Sequence, residues 1–182
     1  MRPRKPSVLL DEDSLYSYAV KLLGQQMRTV VELKRLLRRR VLPGEEGVEQ
    51  LEHVIARLKE QRYLDDSGYA QDYAKLRQEN SSFGRRRVQQ DLMQKGVHCD
   101  LIAKTLETAY ENVDEAALAR EYIARKRIRK PEGENTHKET ARVMGRLLRA
   151  GFSAGSIYKV LHEWNIEVDE VEVEEQIEDK EQ

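Results

Sequence analysis

The sequence predicts an all-α fold, an elongated array of three tandem three-helix repeats. Apolar residues recur at helical spacing from residue 13 onward, whereas alternating β-branched runs are nearly absent before the C-terminus. One pattern also recurs, because residues 36–41 align with 92–97 and 147–152 at offsets of 56 and 55 residues. A period near 55 residues exceeds the two-helix solenoid units of about 34 to 47 residues and suits three short helices in each repeat.

The first predicted repeat occupies residues 13–64 and follows a basic N-terminal segment, residues 1–12. Thr29 and Glu32 have the spacing of a capping box, in which the threonine oxygen accepts the third helical N–H and the glutamate reaches back to the cap. A second helix therefore starts there, and residues 43–47, with one proline and two glycines, separate it from a third helix. The three apolar stripes are Leu15, Tyr18, Ala19, Leu22 and Leu23; Val30, Leu33, Leu36 and Leu37; and Val48, Leu51, Val54, Ile55 and Leu58.

The second predicted repeat occupies residues 65–112 and begins with two helices joined by a short turn. Asp65 and Asp66 offer side-chain oxygens to the free N–H groups of the first helical turn. Gly84 lies in the turn, and Gly96 closes the second helix as a residue able to take positive φ. The stripes are Tyr69, Ala70, Tyr73 and Ala74; Val88, Leu92 and Met93; and Ile102 and Leu106.

The third predicted repeat occupies residues 113–165 and precedes an acidic tail, residues 166–182. The basic run 125–130 ends its first helix, Gly151 ends the second, and Ser153 starts the last. The stripes are Leu118, Tyr122 and Ile123; Val143, Leu147 and Leu148; and Ile157, Val160, Leu161 and Trp164.

Residues 63–97 contain, in this order, an acidic pair, two tyrosines, a glycine and basic residues at fixed spacing. This pattern resembles the central signature of the RecX regulatory proteins, which are bacterial proteins that bind the RecA recombinase filament and modulate it. Two differences from the family pattern are small. Residues 82–85 lack the proline that often follows the glycine in the family, and Val88 and Val97 stand where isoleucine is commoner. The matched positions are Tyr63, Leu64, Asp65, Asp66, Tyr69, Ala70, Tyr73, Arg77, Gly84, Arg87, Val88, Leu92, Lys95, Gly96 and Val97.

The resemblance implies a non-enzymatic regulator in homologous recombination, DNA repair and the SOS response. Its partner would be the RecA filament, and the expected effect is inhibition of recombination, ATPase and coprotease activities. Helices of 12 to 15 residues are about 18–23 Å long, so three repeats in a row would span roughly 60 Å. That length would let the chain bridge neighbouring filament protomers.

Charge is distributed unevenly along the chain. Residues 1–162 contain 31 Lys and Arg against 23 Asp and Glu, a balance of +8, whereas residues 163–182 contain one Lys against ten acids, a balance of −9. A basic body favours docking on phosphates or acidic protein patches. The composition of the tail predicts either a solvated, unfolded end or a segment that folds back over the basic body.

Four basic clusters are candidate partner-binding sites. In one, Lys138, Arg142, Arg146 and Arg149 follow each other at steps of 4, 4 and 3, which places them on one helix face opposite Val143. Like charges at this spacing repel by about 0.2–0.5 kcal/mol per pair, so the stripe does not stabilise the helix. The alternative is an ordinary solvated face. The candidates are Arg38, Arg39, Arg85, Arg86, Arg87, Arg125, Arg127, Lys138, Arg142, Arg146 and Arg149.

The sequence predicts no catalytic residue, cofactor or metal. Its four histidines are far apart, and no phosphate-binding loop or nucleophile elbow is present. The pair Asp65 and Asp66 fits a helix cap better than an acid–base site. Tyr69 and Tyr73 fit core contacts better than a base-stacking platform. Cys99, the single cysteine, permits no intrachain disulfide.

The predicted function is therefore RecA-filament regulation by a cytoplasmic, monomeric protein without a membrane span. Single- or double-stranded DNA is a further candidate partner. The alternative function is a sequence-tolerant DNA-binding helical module that acts through phosphate contacts without RecA.

Overall fold

A computed structural model describes residues 9–133 and 136–166, and within these two ranges all regular secondary structure is α-helical. The all-α prediction, with successive groups of three helices, is confirmed. The basic segment through residue 8 and the acidic tail from residue 167 lie outside the described residues. The helices are α1 (Glu12–Gln25), α2 (Val30–Leu37) and α3 (Glu45–Glu60); α4 (Asp66–Ser81), α5 (Arg85–Gln94) and α6 (Cys99–Tyr110); and α7 (Glu115–Arg125), α8 (Thr136–Arg149) and α9 (Ala154–Glu163).

Packing divides the chain into two compact units. Unit 1 comprises Met1–Gln71 with Leu92–Ile102, and unit 2 comprises Asp72–Asp91 with Ala103–Gln182. The second group of helices therefore contributes residues to both units. The repeat boundaries that the sequence suggests remain predictions, since compact units group residues by contact and not by repeat.

The core of unit 1 is built from the apolar stripes of α1, α2 and α3. Leu15, Leu33, Leu37 and Leu58 are fully buried there. Each stripe recurs at three- and four-residue steps, so burying one face of each helix removes these side chains from water together. The predicted capping box is present at Thr29, which fixes where α2 begins.

The core of unit 2 is aromatic at its centre. Phe152 is fully buried and meets the ring of Tyr122 edge-on at a centroid distance of 5.7 Å. Leu147 of α8 and Ile157 of α9 are also fully buried in this cluster. The third group of helices therefore encloses its own core around the turn that follows α8.

Two of the three copies of the recurring sequence pattern, residues 92–97 and 147–152, form the same kind of helix end. Gly96 after α5 has φ +78°, and Gly151 after α8 has φ +91°. In both turns the residue after the glycine donates its N–H to the carbonyl five positions earlier, from Val97 to Leu92 at 3.1 Å and from Phe152 to Leu147 at 3.2 Å. This is a Schellman end, which needs a residue that tolerates positive φ.

In unit 2 the C-terminal end of α8 lies against the N-terminal end of α5. The Gly84 N–H donates to the Ala150 carbonyl at 2.9 Å, and the Arg86 N–H donates to the Gly151 carbonyl at 3.2 Å. A Cβ added to Gly84 would lie 2.3 Å from the Gly151 oxygen, so glycine is required there. We call this arrangement a helix-end joint. It pairs free N–H groups with free carbonyls and places opposite helix-dipole ends together.

Unit 1 contains a second helix-end joint, in which the end of α5 lies against the start of α2. The Thr29 hydroxyl donates to the Lys95 carbonyl at 2.6 Å, and the Lys95 ammonium lies 3.1 Å from the Glu32 carboxylate. A Cβ added to Gly96 would lie 2.6 Å from the Val31 Cβ. The residue that caps α2 therefore also binds the end of α5.

Leu92→Ala should lower the free energy of unfolding by about 2–5 kcal/mol, because Leu92 is fully buried and its loss leaves a cavity. Urea unfolding followed by circular dichroism measures the change. Met93→Ala is the matched control on the same helix, because 57% of Met93 is exposed and its loss should cost about 0.5 kcal/mol or less. Equal midpoints for the two variants would contradict the burial of Leu92.

Gly151→Ala should cost about 1–3 kcal/mol more than Gly133→Ala, because an added Cβ at Gly151 would lie 2.2 Å from the Arg87 nitrogen. Gly133 also has positive φ, +82°, but nothing lies within 4 Å of its added Cβ. Both variants therefore share the backbone strain, and their difference isolates the helix-end joint. Urea midpoints that shift equally would show that α8 and α5 are not in close contact.

Candidate functional site

The outer face of α8 is basic and exposed. Lys138, Arg142, Arg146 and Arg149 are all exposed, while Val143 and its apolar neighbours on the opposite face are buried. Within the described part of the chain, no carboxylate oxygen lies within 4.0 Å of any of these four cations. The stripe covers eleven helical steps, about 16 Å. The sequence prediction of one cationic face is thus matched by the exposure of its residues.

The helix-end joint of unit 2 brings two more arginines close to the end of α8. The Arg86 N–H is bonded to the Gly151 carbonyl, two residues beyond Arg149. Arg85 and Arg86 are exposed, and the joint places the first turn of α5 beside the end of α8. We call the combined set, Lys138, Arg142, Arg146, Arg149, Arg85 and Arg86, the α8–α5 basic surface.

Two predicted site residues are engaged within unit 2. The Arg87 Nε lies 3.0 Å from the Asp91 carboxylate, and its guanidinium lies 5.6 Å from the centre of the Phe83 ring. Arg125 donates to the Asn80 carbonyl at 2.6 Å and to the Glu79 carbonyl at 3.1 Å. These last carbonyls of α4 have no partner within the helix, so Arg125 caps α4. The sequence alone indicated neither the Arg87–Asp91 ion pair nor the contact of Arg125 with the end of α4.

Three other candidates lie elsewhere. Arg38 and Arg39 are exposed in the turn after α2 in unit 1. Arg127 is exposed after α7 and has φ +50°, the left-handed position that ends this helix. These residues remain separate candidates, because the helix-end joint described for unit 2 does not include them.

The two tyrosines of α4 make packing contacts. Tyr69 is 7% exposed. The Tyr73 hydroxyl donates to the Asp91 carboxylate at 3.0 Å, and burial raises the Tyr73 pKa above its usual range. Both rings therefore fit the predicted core role better than a stacking platform.

One group of possible metal ligands lies in the described part of the chain. His98, Cys99 and Asp100 are exposed, and their ligand atoms lie within 4.8 Å of one another. Zinc sites in proteins use three or four ligands that the fold holds in place. These three are consecutive and open to water, so their positions alone define no site.

Asp66 corrects the sequence interpretation of the acidic pair. Asp65 caps its own helix, since its carboxylate accepts the Ser67 N–H at 2.8 Å. Asp66 instead accepts the Val30 N–H at 2.9 Å and so caps α2, the helix of the first group. Burial raises the pKa of Asp66 above its usual range, and the bond from Val30 offsets part of this effect. Sequence reasoning missed this contact because it joins residues 36 positions apart.

These features define a class of protein. It is an all-α chain of three-helix groups, in which helix ends bond to one another within each unit, and it has an exposed basic face. Among the described residues, none of the helices has the length and apolar character needed to cross a membrane.

Comparison with known proteins gives the family of the chain. A family model described as RecX, second three-helix domain, matches residues 65–106. Regulatory protein RecX of Thermobifida fusca is 31% identical over 166 residues, which cover 89% of this chain and 86% of that protein. Regulatory protein RecX of Streptomyces coelicolor is 30% identical over 144 residues, which cover 79% and 73%. A crystal structure of regulatory protein RecX matches with a TM-score of 0.66 and 26% identity, over 84% of this chain and 71% of that one. The chain therefore belongs to the RecX family.

The family-matched segment contains residues that form both helix-end joints. Asp66 and Lys95 bond to the start of α2 in unit 1, and Gly84 bonds to the end of α8 in unit 2. Each of these signature residues therefore has a structural role, which is to connect its helix to another helix. The basic side chains of α8 lie outside the matched segment.

Asp66→Ala should lower the free energy of unfolding at pH 7 by about 0.5–2 kcal/mol, because α2 loses a cap. Asp66→Asn keeps an acceptor for the Val30 N–H and should cost much less. A raised pKa means that the folded state binds the proton more tightly than the unfolded chain. This carboxyl therefore adds stability as the pH falls toward its usual value of 3.8, and the asparagine variant should lose that gain.

Urea unfolding between pH 4 and pH 7, roughly the range above an ordinary carboxyl pKa, measures both effects. Identical pH slopes for the wild type and Asp66→Asn would contradict the raised pKa. Equal losses for the Asn and Ala variants at pH 7 would contradict the cap on α2.

Proposed function

We propose that this protein binds the RecA recombinase filament and inhibits its recombination, ATPase and coprotease activities. Membership in the RecX family supports the proposal, since its relatives are named regulatory proteins. The role would lie in homologous recombination, DNA repair and the SOS response, in the cytoplasm. The protein would act as a monomer and by occupancy, without catalysis or a cofactor.

The observation that supports a docking role most directly is the α8–α5 basic surface. Six exposed cations lie along one helix face and the adjoining helix start, and the described residues place no acid within salt-bridge distance of them. A nucleoprotein filament presents phosphates and acidic protein patches, which attract such cations over about 8–10 Å at physiological salt. Charge complementarity would guide docking and fix its orientation.

Inhibition follows from occupancy. A protein bound across the filament surface stabilises whichever filament state it contacts, and it can block the addition or loss of protomers. Because the helix-end joint of unit 2 links the start of α5 to the end of α8 through two backbone hydrogen bonds, the basic side chains extend from an ordered support. A rigid support loses little conformational entropy on binding.

Cosedimentation with RecA filaments across a salt series, with naked single- and double-stranded DNA as parallel samples, tests the proposal. The protein should pellet with filaments well above its background with DNA alone, and RecA-dependent ATPase and strand exchange should fall. Tight binding to naked DNA, together with unchanged RecA activities at stoichiometric protein, would favour the alternative of a DNA-binding module that acts without RecA.

The double variant Arg142→Glu and Arg146→Glu should bind filaments at least about tenfold more weakly, because two favourable contacts become repulsive. Its far-UV circular dichroism and thermal midpoint should stay close to wild type, since both residues are exposed. Lys75→Glu with Lys104→Glu is the matched control, because it changes the same charge at exposed positions of the same unit. Equal filament affinity for the two double variants would assign the α8 stripe to solvation.

A further inference from the structure

Basic residues outnumber acidic residues along α8. Glu139 is the one acidic residue of the helix, against four cations at steps of one turn. Repulsion between like charges one turn apart disfavours the helix, so an anion laid along the face would relieve it. Other cations of unit 2 already have such a partner: Arg120 lies 2.7 Å from Glu163, and Arg87 lies 3.0 Å from Asp91.

The chain itself contains an acidic segment long enough to lie along this face. Residues 167–182 include nine acids and one lysine. They follow directly on Ile166, whose N–H donates to the Leu161 carbonyl at 3.2 Å and whose side chain packs against the core of unit 2. Val143 and Leu147 of α8 belong to that same core. The acidic segment therefore starts from the body that holds the basic face.

We propose that residues 167–182 bind the basic face of α8 within the same molecule. Sixteen residues reach at most about 54 Å when extended, which is several times the 10–12 Å diameter of a helix with its side chains. A short tether of this kind gives an effective concentration in the millimolar range. Many weak charge contacts are then enough to keep the face covered for much of the time.

This contact would regulate access to α8. A polyanionic partner has to displace the acidic segment, so its apparent affinity falls with the fraction of molecules in which the face is covered. The contact is between exposed charges, so salt weakens it. The proposal concerns the free chain and does not depend on RecA being the partner.

Nitrogen-15 heteronuclear NMR of the full chain and of a chain ending at Ile166 tests the contact directly. The amide shifts that differ between the two should concentrate in 136–149, and the differences should shrink by about half or more between 50 mM and 500 mM salt, since the screening length falls below about 5 Å. Differences confined to the residues next to Ile166 would overturn the proposal.

Two sets of variants locate the contact. Replacing the nine acids of the tail by Gln and Asn, in the full chain, should give the α8 shifts of the truncated chain. Arg142→Glu with Arg146→Glu should remove most of the difference between full and truncated chains, while Lys75→Glu with Lys104→Glu should preserve it. If both charge-reversed pairs reduce the difference equally, the tail responds to net charge alone and the site on α8 is wrong.

A charge-reversed α8 that fails to fold by circular dichroism would be replaced by Arg142→Gln with Arg146→Gln. The tail variant tests the contact in any case, because its substitutions all lie beyond Ile166 and leave α8 unchanged. Unchanged α8 shifts in that variant would also overturn the proposal.

Discussion

The helix-end joint is the interaction on which the rest of the structure depends. In unit 1 the end of α5 meets the start of α2, and in unit 2 the end of α8 meets the start of α5. Each joint satisfies backbone groups that a helix end leaves free and places opposite dipole ends together. Each also requires a glycine at the point of contact, Gly96 in one joint and Gly84 with Gly151 in the other. A recurring sequence pattern thus becomes a recurring way of joining helices.

Local features of the fold could be predicted from the sequence. Apolar periodicity identified the helices, the Thr29 capping box was correct, and the glycine ends after α5 and α8 have positive φ. The long-range bonds could not be predicted, because local patterns do not show which helix ends meet. The Thr29 hydroxyl bonds a carbonyl 66 residues away, and Asp66, expected to cap its own helix, caps α2 instead.

The basic surface shows the same division. Spacing alone predicted the four cations on one face of α8, since helical geometry is local. Only the tertiary structure shows that Arg85 and Arg86 lie close to the end of α8, because a hydrogen bond links α5 to the turn after α8. Only the tertiary structure shows that Arg125 caps α4 and that Arg87 pairs with Asp91. Charge clusters that look alike in sequence therefore divide into groups that support the fold and groups that remain open to a partner.

Docking of the α8–α5 basic surface on a RecA filament is the central claim. Hydrogen–deuterium exchange of the protein, free and bound to filaments at saturating RecA, tests it most directly, because bound helices exchange more slowly than free ones. Slower exchange should appear in 85–94 and 136–149 on filament binding. Binding that leaves these two ranges unchanged, with slower exchange confined to α1, α2 and α3, would contradict the claim.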